Sequence, residues 1–529
     1  MSGNRSQLTR FMAIFAGGTM LSRVLGLVRD VVVANMPFAS REIFLFAFRF
    51  PNLLRDMLGE GAVNAAFVPL FARCRETEGE EAFQRLVRAC LGATLILFAM
   101  LSALGMVLVP LLPGILSVLD PWTGGNSTTV DMDLTLSVMY WLMPYFLLIG
   151  AAVFAMGPLF VVKRYGTASW SPVILNIALI AVCLIHQDYF SDPVWALVTG
   201  VWLGGIGQVI VMFHAMKKHT GVWLPSLELK HPGVAKAFLL LGPVIVGQAT
   251  GEVNKLVDSF FAYKLEAVSY LYFSNRLVQL PLSIFGIAVA VSILPAISAA
   301  GARDDLKEIR ETLIFGFRQS AFLVMPSLVG LLVLGDPLMR LLFVHPGGGF
   351  SVDDAHHSAN AMFYLAWGLL AFTWVKVAVQ GFFAIHDTKS PVIIASLSMA
   401  LNIVLILLLV KPMGYQGLAF ATTLSYAANF FGLYWMLGRR FGSLTTAAFV
   451  WSLARIGVAA GLMGGAARLT YQLLVARFPD HALHHELLSV LLPIGVAMAV
   501  YPLLALILRL EDAHQLLGIL RRRLPGRRA

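Results

Sequence analysis

The sequence predicts an all-α integral membrane protein, and three observations support that prediction. Of its 529 residues, 58% are hydrophobic and only 13% are charged, too few polar residues to cover the surface of a water-soluble globule. Apolar stretches of roughly 20 residues, the length that a spanning helix requires, recur along the whole chain. Their periodicity is mostly helical and no stretch alternates like a strand, which favours a helical bundle over an outer-membrane barrel.

We expect about fourteen membrane-spanning segments, numbered here in chain order. Their approximate bounds are residues 10–34, 42–72, 84–112, 133–162, 170–186, 194–217, 235–262, 267–299, 309–335, 358–385, 391–410, 415–438, 447–474 and 486–509. The first segment contains charged residues and lacks a small-residue cleavage site, so we expect no cleavable signal peptide. The three cysteines, Cys74, Cys90 and Cys183, are far apart in the sequence and are expected to be free thiols.

The distribution of Lys and Arg predicts that both termini lie in the cytoplasm. With that orientation, the inside loops and the tail contain most of the basic residues. The outside loops contain only five: Arg41, Lys264, Arg340, Lys411 and Arg477. The net charge of +10 mostly reflects this bias. We interpret the basic tail as a contact for anionic lipids and expect no nucleic-acid partner.

Two similar sequence patterns predict an internal repeat. Segment 5 opens with SPVI at 171–174, and segment 11 opens with SPVI at 390–393. We therefore expect two parallel six-helix lobes at 1–218 and 219–440, followed by two further helices and a basic cytoplasmic tail at 441–529. The alternative is a coincidence within apolar sequence of low complexity.

Four arginines lie inside the first two apolar segments: Arg23, Arg29, Arg49 and Arg55. A lipid-exposed arginine near the bilayer centre costs on the order of 3 kcal/mol even on a lenient scale. These side chains are therefore expected to face a water-filled cavity, a partner or an anionic ligand. Transport is the first functional hypothesis.

The polar residues near these arginines share helix faces. Arg49, Asn52, Asp56 and Glu60 form one stripe on segment 2, because their spacing is i, i+3, i+7 and i+11. Segment 1 carries a corresponding group, and segment 8 adds one more cation. The substrate-binding residues predicted in this way are Arg23, Arg29, Arg55, Arg276, Arg49, Asn52, Asp30 and Glu60.

An alternative interpretation is that these charges only pair with one another and lock helices together. The first two segments contain four arginines against three acids, so an excess of positive charge favours an anionic substrate. Helix breakers beside the charges are candidate hinges for alternating access. These are Gly26, Pro51, Gly247 and Pro281.

The second lobe contains a candidate site for a monovalent cation, formed by Asp258, Asn402 and Thr422. Two histidine clusters in outside loops are interpreted as exposed loop residues, so no metal site is expected. The chain has no P-loop, nucleophile elbow or metalloprotease motif and no loop long enough for a catalytic domain. We expect a protein that is not an enzyme and that needs no cofactor, with a monovalent cation or the membrane potential as the candidate driving force.

Three motifs are specific enough to indicate a family: GGTMLSRVLGLVRD at 17–30, FRFPNLLRDMLGEGAVNAAFVPLF at 48–71 and SNRLVQLPLSIFGIAVAVSILP at 274–295. They closely resemble the MurJ (MviN) family of the multidrug/oligosaccharidyl-lipid/polysaccharide (MOP) exporter superfamily, along essentially the whole chain. The resemblance implies a flippase that moves lipid II from the inner to the outer leaflet of the bacterial cytoplasmic membrane. It implies alternating access through a cationic central cavity, and we expect a monomer among membrane lipids.

The resemblance also implies roles for particular residues. It places the family's critical arginines at Arg23, Arg29, Arg55 and Arg276, and it implies that segments 13 and 14 form a groove for the lipid tail. Positions that hold acids in some members are occupied here by Asn275, Gln279 and Ile406, and Glu42 stands for an aspartate. These departures weaken the expectation of sodium coupling and leave the arginine cavity intact.

The competing hypotheses differ in the cargo or in the class of protein. A related exporter of another lipid-linked oligosaccharide is the nearest alternative. A drug exporter predicts a cavity lined by acids and aromatic residues. A scaffold protein predicts that Arg29→Ala or Arg276→Ala damages assembly and not transport.

Overall fold

A computed structural model describes four parts of the chain, residues 2–57, 63–124, 129–478 and 483–514. In these parts the regular secondary structure is helical, so the predicted all-α fold is confirmed. Among the described residues, nine helical stretches are long and apolar enough to cross a membrane, and a bent pair makes a tenth. The chain is a multi-pass membrane protein. The helices that carry most of the charged residues predicted to bind substrate are not among those nine. The count of fourteen membrane-spanning segments stays a prediction.

The described chain divides into two compact units. The first unit contains Met1–Ser269 and His345–Phe350, and the second contains Tyr270–Val344 and Ser351–Ala529. The lobe bounds predicted from the repeat stay a prediction.

The first unit contains twelve helices in its described residues. They are α1 (Ser2–Ala34), α2 (Phe38–Met57), α3 (Val63–Glu78), α4 (Glu80–Leu108), α5 (Leu112–Ser117), α6 (Asp120–Thr123), α7 (Met132–Leu142), α8 (Tyr145–Val161), α9 (Tyr165–Leu184), α10 (His186–Tyr189), α11 (Val194–Thr220) and α12 (Pro232–Lys264). Helix α9 packs against both α1 and α11. At Gly204 of α11, an added Cβ would lie 2.9 Å from the Cα of Leu175, so the absence of a side chain permits this close helix contact.

Two adjacent residues of opposite charge are buried near the start of α2. Arg41 and Glu42 are both almost fully buried. The Nη1 of Arg41 donates to the backbone oxygen of Gly349 at 2.7 Å, and its guanidinium lies over the ring of Phe350. Glu42 accepts from the backbone N–H of Ser269 at 2.7 Å. The sequence assigned Arg41 to an outside loop. The structure buries it because backbone oxygens, aromatic faces and a neighbouring carboxylate replace its water.

The second unit contains nine further helices in its described residues, the first of which begins two residues before the division. They are α13 (Val268–Pro281), α14 (Ile287–Ala302), α15 (Leu306–Phe343), α16 (Val352–Trp367), α17 (Leu369–Ala384), α18 (Lys389–Met413), α19 (Tyr415–Phe441), α20 (Ala447–Arg477) and α21 (Leu483–Ile507). Buried side chains of α14, α15, α17 and α19 form one core, and α15, α20 and α21 form another. Helix α21 is joined to α15 by the Tyr501 hydroxyl, which donates to the backbone oxygen of Phe322 at 2.7 Å.

The order of helices in the second unit resembles the order in the first. The predicted segment at 133–162 is broken into α7 and α8, and the segment at 358–385 is bent by 40° between α16 and α17. The residues that follow α8 and α17 include Lys163 and His386, which adopt nearly the same left-handed conformation, with φ of 57° and 56°. The six-helix repeat that the sequence patterns predicted stays a prediction.

Candidate functional site

The predicted residue Arg29 of α1 is held by side chains of two helices. Its Nη2 and Nε donate to Asp30 Oδ1 at 2.6 and 3.1 Å. Its Nη1 donates to Asn176 Oδ1 of α9 at 3.1 Å, and the amide of Asn176 donates in turn to the backbone oxygen of Ser22 at 3.1 Å. The side chain of Arg29 is mostly buried, and that of Asp30 almost fully so. These contacts fix the direction of the guanidinium relative to α1.

The predicted polar stripe of α2 is present in its described part. Asn52 donates to Asp56 Oδ2 at 3.5 Å, and Arg55 Nη2 donates to Asp56 Oδ1 at 3.2 Å. Both partners of the ion pair are partly exposed, at 37% for Arg55 and 24% for Asp56, so part of the guanidinium stays open to a ligand. Pro51 lies inside this helix, and Glu60, the last predicted member of the stripe, lies outside the described residues.

A residue of a third helix lies beside the helices that carry Arg29 and Arg55. Tyr145, the first residue of α8, is 1% exposed; its ring packs against Phe48 of α2 and against Gly205 of α11, which follows the Gly204 that contacts Leu175 beside Asn176. We name this location the Arg29–Arg55 site, formed by Arg29, Asp30, Asn52, Arg55, Asp56, Tyr145 and Asn176. It lies within the first compact unit and joins α1, α2, α8 and α9.

The positive charges predicted for α1 and α2 outnumber their acidic partners. Arg23 is exposed and Arg49 is half-buried, and within the described ranges neither has an ion pair or a hydrogen bond. The Nε atom of Arg49 is buried without a hydrogen-bond partner. Asp30 pairs with Arg29 and Asp56 with Arg55, so Arg23 and Arg49 are the two predicted arginines without a carboxylate partner in the described residues. Such a surplus is suited to an anionic ligand with several oxygen acceptors.

The remaining predicted residues lie on other helices. Arg276 is half-buried on α13, in the second unit, and Pro281 ends that helix. A π-helical turn follows at Leu282–Gly286, a feature that the sequence did not predict and that often marks functional positions in helices. Gly26 is buried on α1, and Gly247 lies within α12.

The candidate cation-site residues are distributed over both compact units. Asp258 is on α12 in the first unit, whereas Asn402 is on α18 and Thr422 on α19 in the second. Asn402 is fully buried. The Thr422 hydroxyl donates to the backbone oxygen of Leu418 at 3.0 Å. Over the described parts of the chain, no group of three or more His, Cys, Asp or Glu residues is arranged to hold a metal ion.

Two residues of the Arg29–Arg55 site were missed by reasoning from the sequence. Tyr145 is amphipathic and stands beside Pro144, where a helix break was not predicted. Asn176 is a lone amide inside an apolar segment, which was a usable signal because buried amides need a partner. The identity of that partner, 147 residues away, depended on the fold.

A bundle of apolar helices that holds charged side chains in its interior is typical of a multi-pass membrane transporter. The comparisons with known proteins agree with this class. The family model described as lipid II flippase MurJ matches residues 39–485. A probable lipid II flippase MurJ from Vibrio cholerae is 33% identical over 509 residues, covering 94% of this chain and 96% of that protein. Another, from Haemophilus influenzae, is 33% identical and covers 79% and 83%.

The chain belongs to the MurJ family of lipid II flippases. Its fold is similar to a solved structure of lipid II flippase MurJ in an inward closed conformation, with a TM-score of 0.74, 23% identity and coverage of 94% and 98%. An inward-facing transporter of the multidrug resistance MATE family, in the MOP superfamily, matches with a TM-score of 0.64, 13% identity and coverage of 82% and 98%. The resemblance to the MurJ family is thereby confirmed, and the family is one of transporters.

Proposed function

We propose that this chain flips lipid II from the inner to the outer leaflet of the bacterial cytoplasmic membrane, and that the arginines of α1 and α2 bind the diphosphate of its head group. Family membership supports the cargo. The observation that supports the binding role is the surplus of guanidinium groups over carboxylates at these four positions. Arg276 and Glu60 are proposed as further members of the same binding surface.

The diphosphate is the part of lipid II that the membrane core rejects most strongly, because a charged group loses its hydration there. Guanidinium groups already held in place replace part of that hydration with charge-assisted hydrogen bonds. Arg29 is suited to this role because Asp30 and Asn176 fix its orientation before the cargo arrives. The polyprenyl tail stays in an apolar environment throughout, and we propose that α20 and α21 form the groove that holds it.

A cationic site is a poor match for a cationic drug. Arg23 and Arg49, the arginines of α1 and α2 without a carboxylate partner in the described residues, would repel such a cargo, whereas each of them attracts an oxygen of a diphosphate. The site therefore favours a lipid-linked diphosphate over the alternative drug cargo. The sugars and peptide attached to the diphosphate distinguish lipid II from other lipid-linked oligosaccharides, and family membership supports lipid II.

The direction of transport requires an energy source. We propose that the membrane potential contributes, because an inside-negative potential favours the return of a positively charged empty site at about 2.3 kcal/mol per charge per 100 mV. Coupling to a monovalent cation through Asp258, Asn402 and Thr422 is a second proposal. We further propose two lobes at 1–218 and 219–440 that expose the site alternately to the two leaflets, with Gly26, Pro51, Gly247 and Pro281 as hinges.

The orientation and the assembly of the chain are also proposals. The distribution of Lys and Arg supports cytoplasmic termini, with the basic tail at 515–529 against anionic lipids of the inner leaflet. We propose a monomer without a nucleic-acid partner, because one chain contains every element that the mechanism requires.

The decisive experiment is complementation of cells depleted of their own lipid II flippase, with lipid II measured separately in each leaflet. We expect the wild-type chain to restore growth and outer-leaflet lipid II. Arg23, Arg29, Arg55 and Arg276, each changed to Ala, are expected to reach the membrane and to lose flipping. The control is Arg75→Ala on α3, outside the Arg29–Arg55 site. It removes an exposed arginine whose Nε lies 2.7 Å from Glu80 Oε2.

The control variant should flip at the wild-type rate. A well-expressed wild-type chain that leaves lipid II in the inner leaflet would reject the cargo. Normal flipping in all four arginine variants would reject the cationic site as the binding surface while leaving the cargo intact.

A further inference from the structure

Tyr145 has a buried hydroxyl group that the fold does not satisfy. The side chain is 1% exposed, and its oxygen has no hydrogen-bond partner among the residues that the structure describes. A buried hydroxyl without a partner costs free energy, and phenylalanine in the same place would avoid that cost. The hydroxyl is therefore expected to have a use that is not structural.

The ring of Tyr145 is held from two sides, so the hydroxyl cannot easily turn away. The ring of Phe48 on α2 lies 6.0 Å from it, centroid to centroid. On another side it packs against Gly205 of α11, where an added Cβ would lie 2.6 Å from the Cε2 atom of Tyr145. Helices α2 and α11 thus fix the position of the phenol group at the start of α8.

The groups around this hydroxyl define the chemistry of its missing partner. Phe48, which packs against the ring, lies two turns before Arg55 on α2. Gly205 follows Gly204, which contacts Leu175 beside Asn176, the partner of Arg29. Both guanidinium groups are donors without any acceptor atom, so a ligand beside these three groups must supply acceptor oxygens, and a diphosphate does so. An ammonium group, which has donors only, does not.

We propose that Tyr145 donates a hydrogen bond to an oxygen of the cargo's diphosphate and is a substrate-binding residue of the Arg29–Arg55 site. This inference rests on the proposed function, because it assumes that the diphosphate enters between Arg29 and Arg55. The neutral hydroxyl adds a directional hydrogen bond that the two arginines alone do not supply. The hydroxyl of Tyr145 has a hydrogen-bond partner only when the cargo is bound.

The test uses the purified full-length chain and Tyr145→Phe, which removes one oxygen and keeps the ring. Dissociation constants are measured for two probes, lipid II and undecaprenyl diphosphate. We expect Tyr145→Phe to bind both probes about tenfold more weakly or worse, the range for a lost hydrogen bond to a charged group. Its Tm is expected to equal or exceed that of the wild type, because an unsatisfied buried hydroxyl has been removed.

Tyr263→Phe is the matched control, since the Tyr263 hydroxyl is buried in the same unit but already bonded to Thr135 Oγ1 at 2.8 Å. This variant should show a lower Tm and wild-type dissociation constants. Wild-type affinity of Tyr145→Phe for both probes would overturn the proposal. Weaker binding of lipid II alone would also overturn it, since that result assigns the contact to the sugar or peptide. A Tm of Tyr145→Phe as low as that of the control would overturn it as well.

The two proposals fail in distinguishable ways. If the wild-type chain binds neither probe, the proposed function fails and this inference fails with it. If Arg29→Ala and Arg55→Ala weaken binding of undecaprenyl diphosphate while Tyr145→Phe does not, the cationic site stands and only the role of Tyr145 is rejected.

Discussion

Arg29 donates two hydrogen bonds to Asp30, through Nη2 at 2.6 Å and Nε at 3.1 Å, and the carboxylate that receives them is 1% exposed. A buried carboxylate depends on its partner, because without it the charge has neither water nor a counter-ion. Arg29 therefore has two tasks: it neutralises Asp30, and it contributes to the cationic site. Arg23 and Arg49, which have no such partner in the described chain, have only the second task.

The double role of Arg29 predicts a loss of both stability and flipping in Arg29→Ala. We expect the free energy of unfolding to fall by roughly 3 kcal/mol, since Asp30 remains buried and loses the two hydrogen bonds that Arg29 donates to it. The double variant Arg29→Ala/Asp30→Asn should recover most of the stability and none of the flipping. Thermal unfolding in detergent measures the first effect, and leaflet-resolved lipid II measures the second. Recovery of flipping in the double variant would show that Arg29 acts only through Asp30.

Arg49 differs from Arg29, because its Nε is buried without a hydrogen-bond partner. Arg49→Met keeps a long side chain and removes an unsatisfied charge. We expect its Tm to equal or exceed that of the wild type, while flipping falls. A clear drop in Tm together with normal flipping would assign Arg49 to a structural network and reduce the surplus on which the binding surface depends.

The sequence predicted the helices well because apolar periodicity is a local property. The predicted segment at 194–217 corresponds to Val194–Thr220, and the segment at 391–410 corresponds to Lys389–Met413. Breaks inside apolar stretches were harder to predict. The division at Met143-Pro144 lies between two apolar helices, and the π-helical turn at Leu282–Gly286 is apolar like the helices beside it.

The charged half of the Arg29–Arg55 site was predictable, since arginines inside apolar segments stand out in any sequence. Its partners were not. Asn176 contacts Arg29, which lies 147 residues away in the chain. Tyr145 packs where Gly205, on another helix, leaves room for its ring. The buried position of Arg41 depended in the same way on a distant backbone oxygen, that of Gly349. Such contacts are tertiary, and no local pattern encodes them.

The enclosure of Arg41 predicts that lysine cannot replace it. Arg41 donates to backbone oxygens through one nitrogen, at 3.2 Å to Ala34 and 2.7 Å to Gly349, and its planar group lies over two rings. An ammonium group cannot reproduce that geometry, so Arg41→Lys should lower the free energy of unfolding by roughly 3 kcal/mol. Arg75→Lys, at an exposed ion pair, should change it by less than about 1 kcal/mol. Equal effects in thermal unfolding would contradict the buried role of Arg41.

Two glycines in long helices predict opposite effects of the same substitution. A Cβ at Gly92 of α4 would lie 2.0 Å from the backbone oxygen of Ser226, a segment held to α4 by the bond from Ser226 N–H to the Arg88 oxygen at 2.9 Å. Gly92→Ala should therefore destabilise the chain by about 2 kcal/mol. Gly457 of α20 has open space around it, and Gly457→Ala should stabilise by about 0.5–1 kcal/mol. Paired thermal unfolding curves compare the two, and a stabilising Gly92→Ala would refute the close contact.

The contacts of Asp387 predict that part of the folding stability is lost at low pH. It lies between α17 and α18, where its Oδ1 accepts from the backbone N–H of Ser390 at 3.0 Å and its Oδ2 from the Ser390 hydroxyl at 2.7 Å. Arg440 Nη2 lies 2.7 Å from Oδ2. The hydrogen bonds from Ser390, and then the charge of Arg440, hold the pKa of Asp387 below its usual range.

The pKa of Asp387 is lower in the folded state than in the unfolded state. Its contribution to the free energy of unfolding is therefore complete above the unfolded pKa. That contribution is lost as the pH falls through the folded pKa. Unfolding measured between pH 7 and pH 3 should therefore show a smaller acid-induced loss in Asp387→Asn than in the wild type. Ser390→Ala should fall between the two, since the backbone donors and Arg440 remain. An unchanged acid dependence in Asp387→Asn would mean that other carboxylates carry the whole effect.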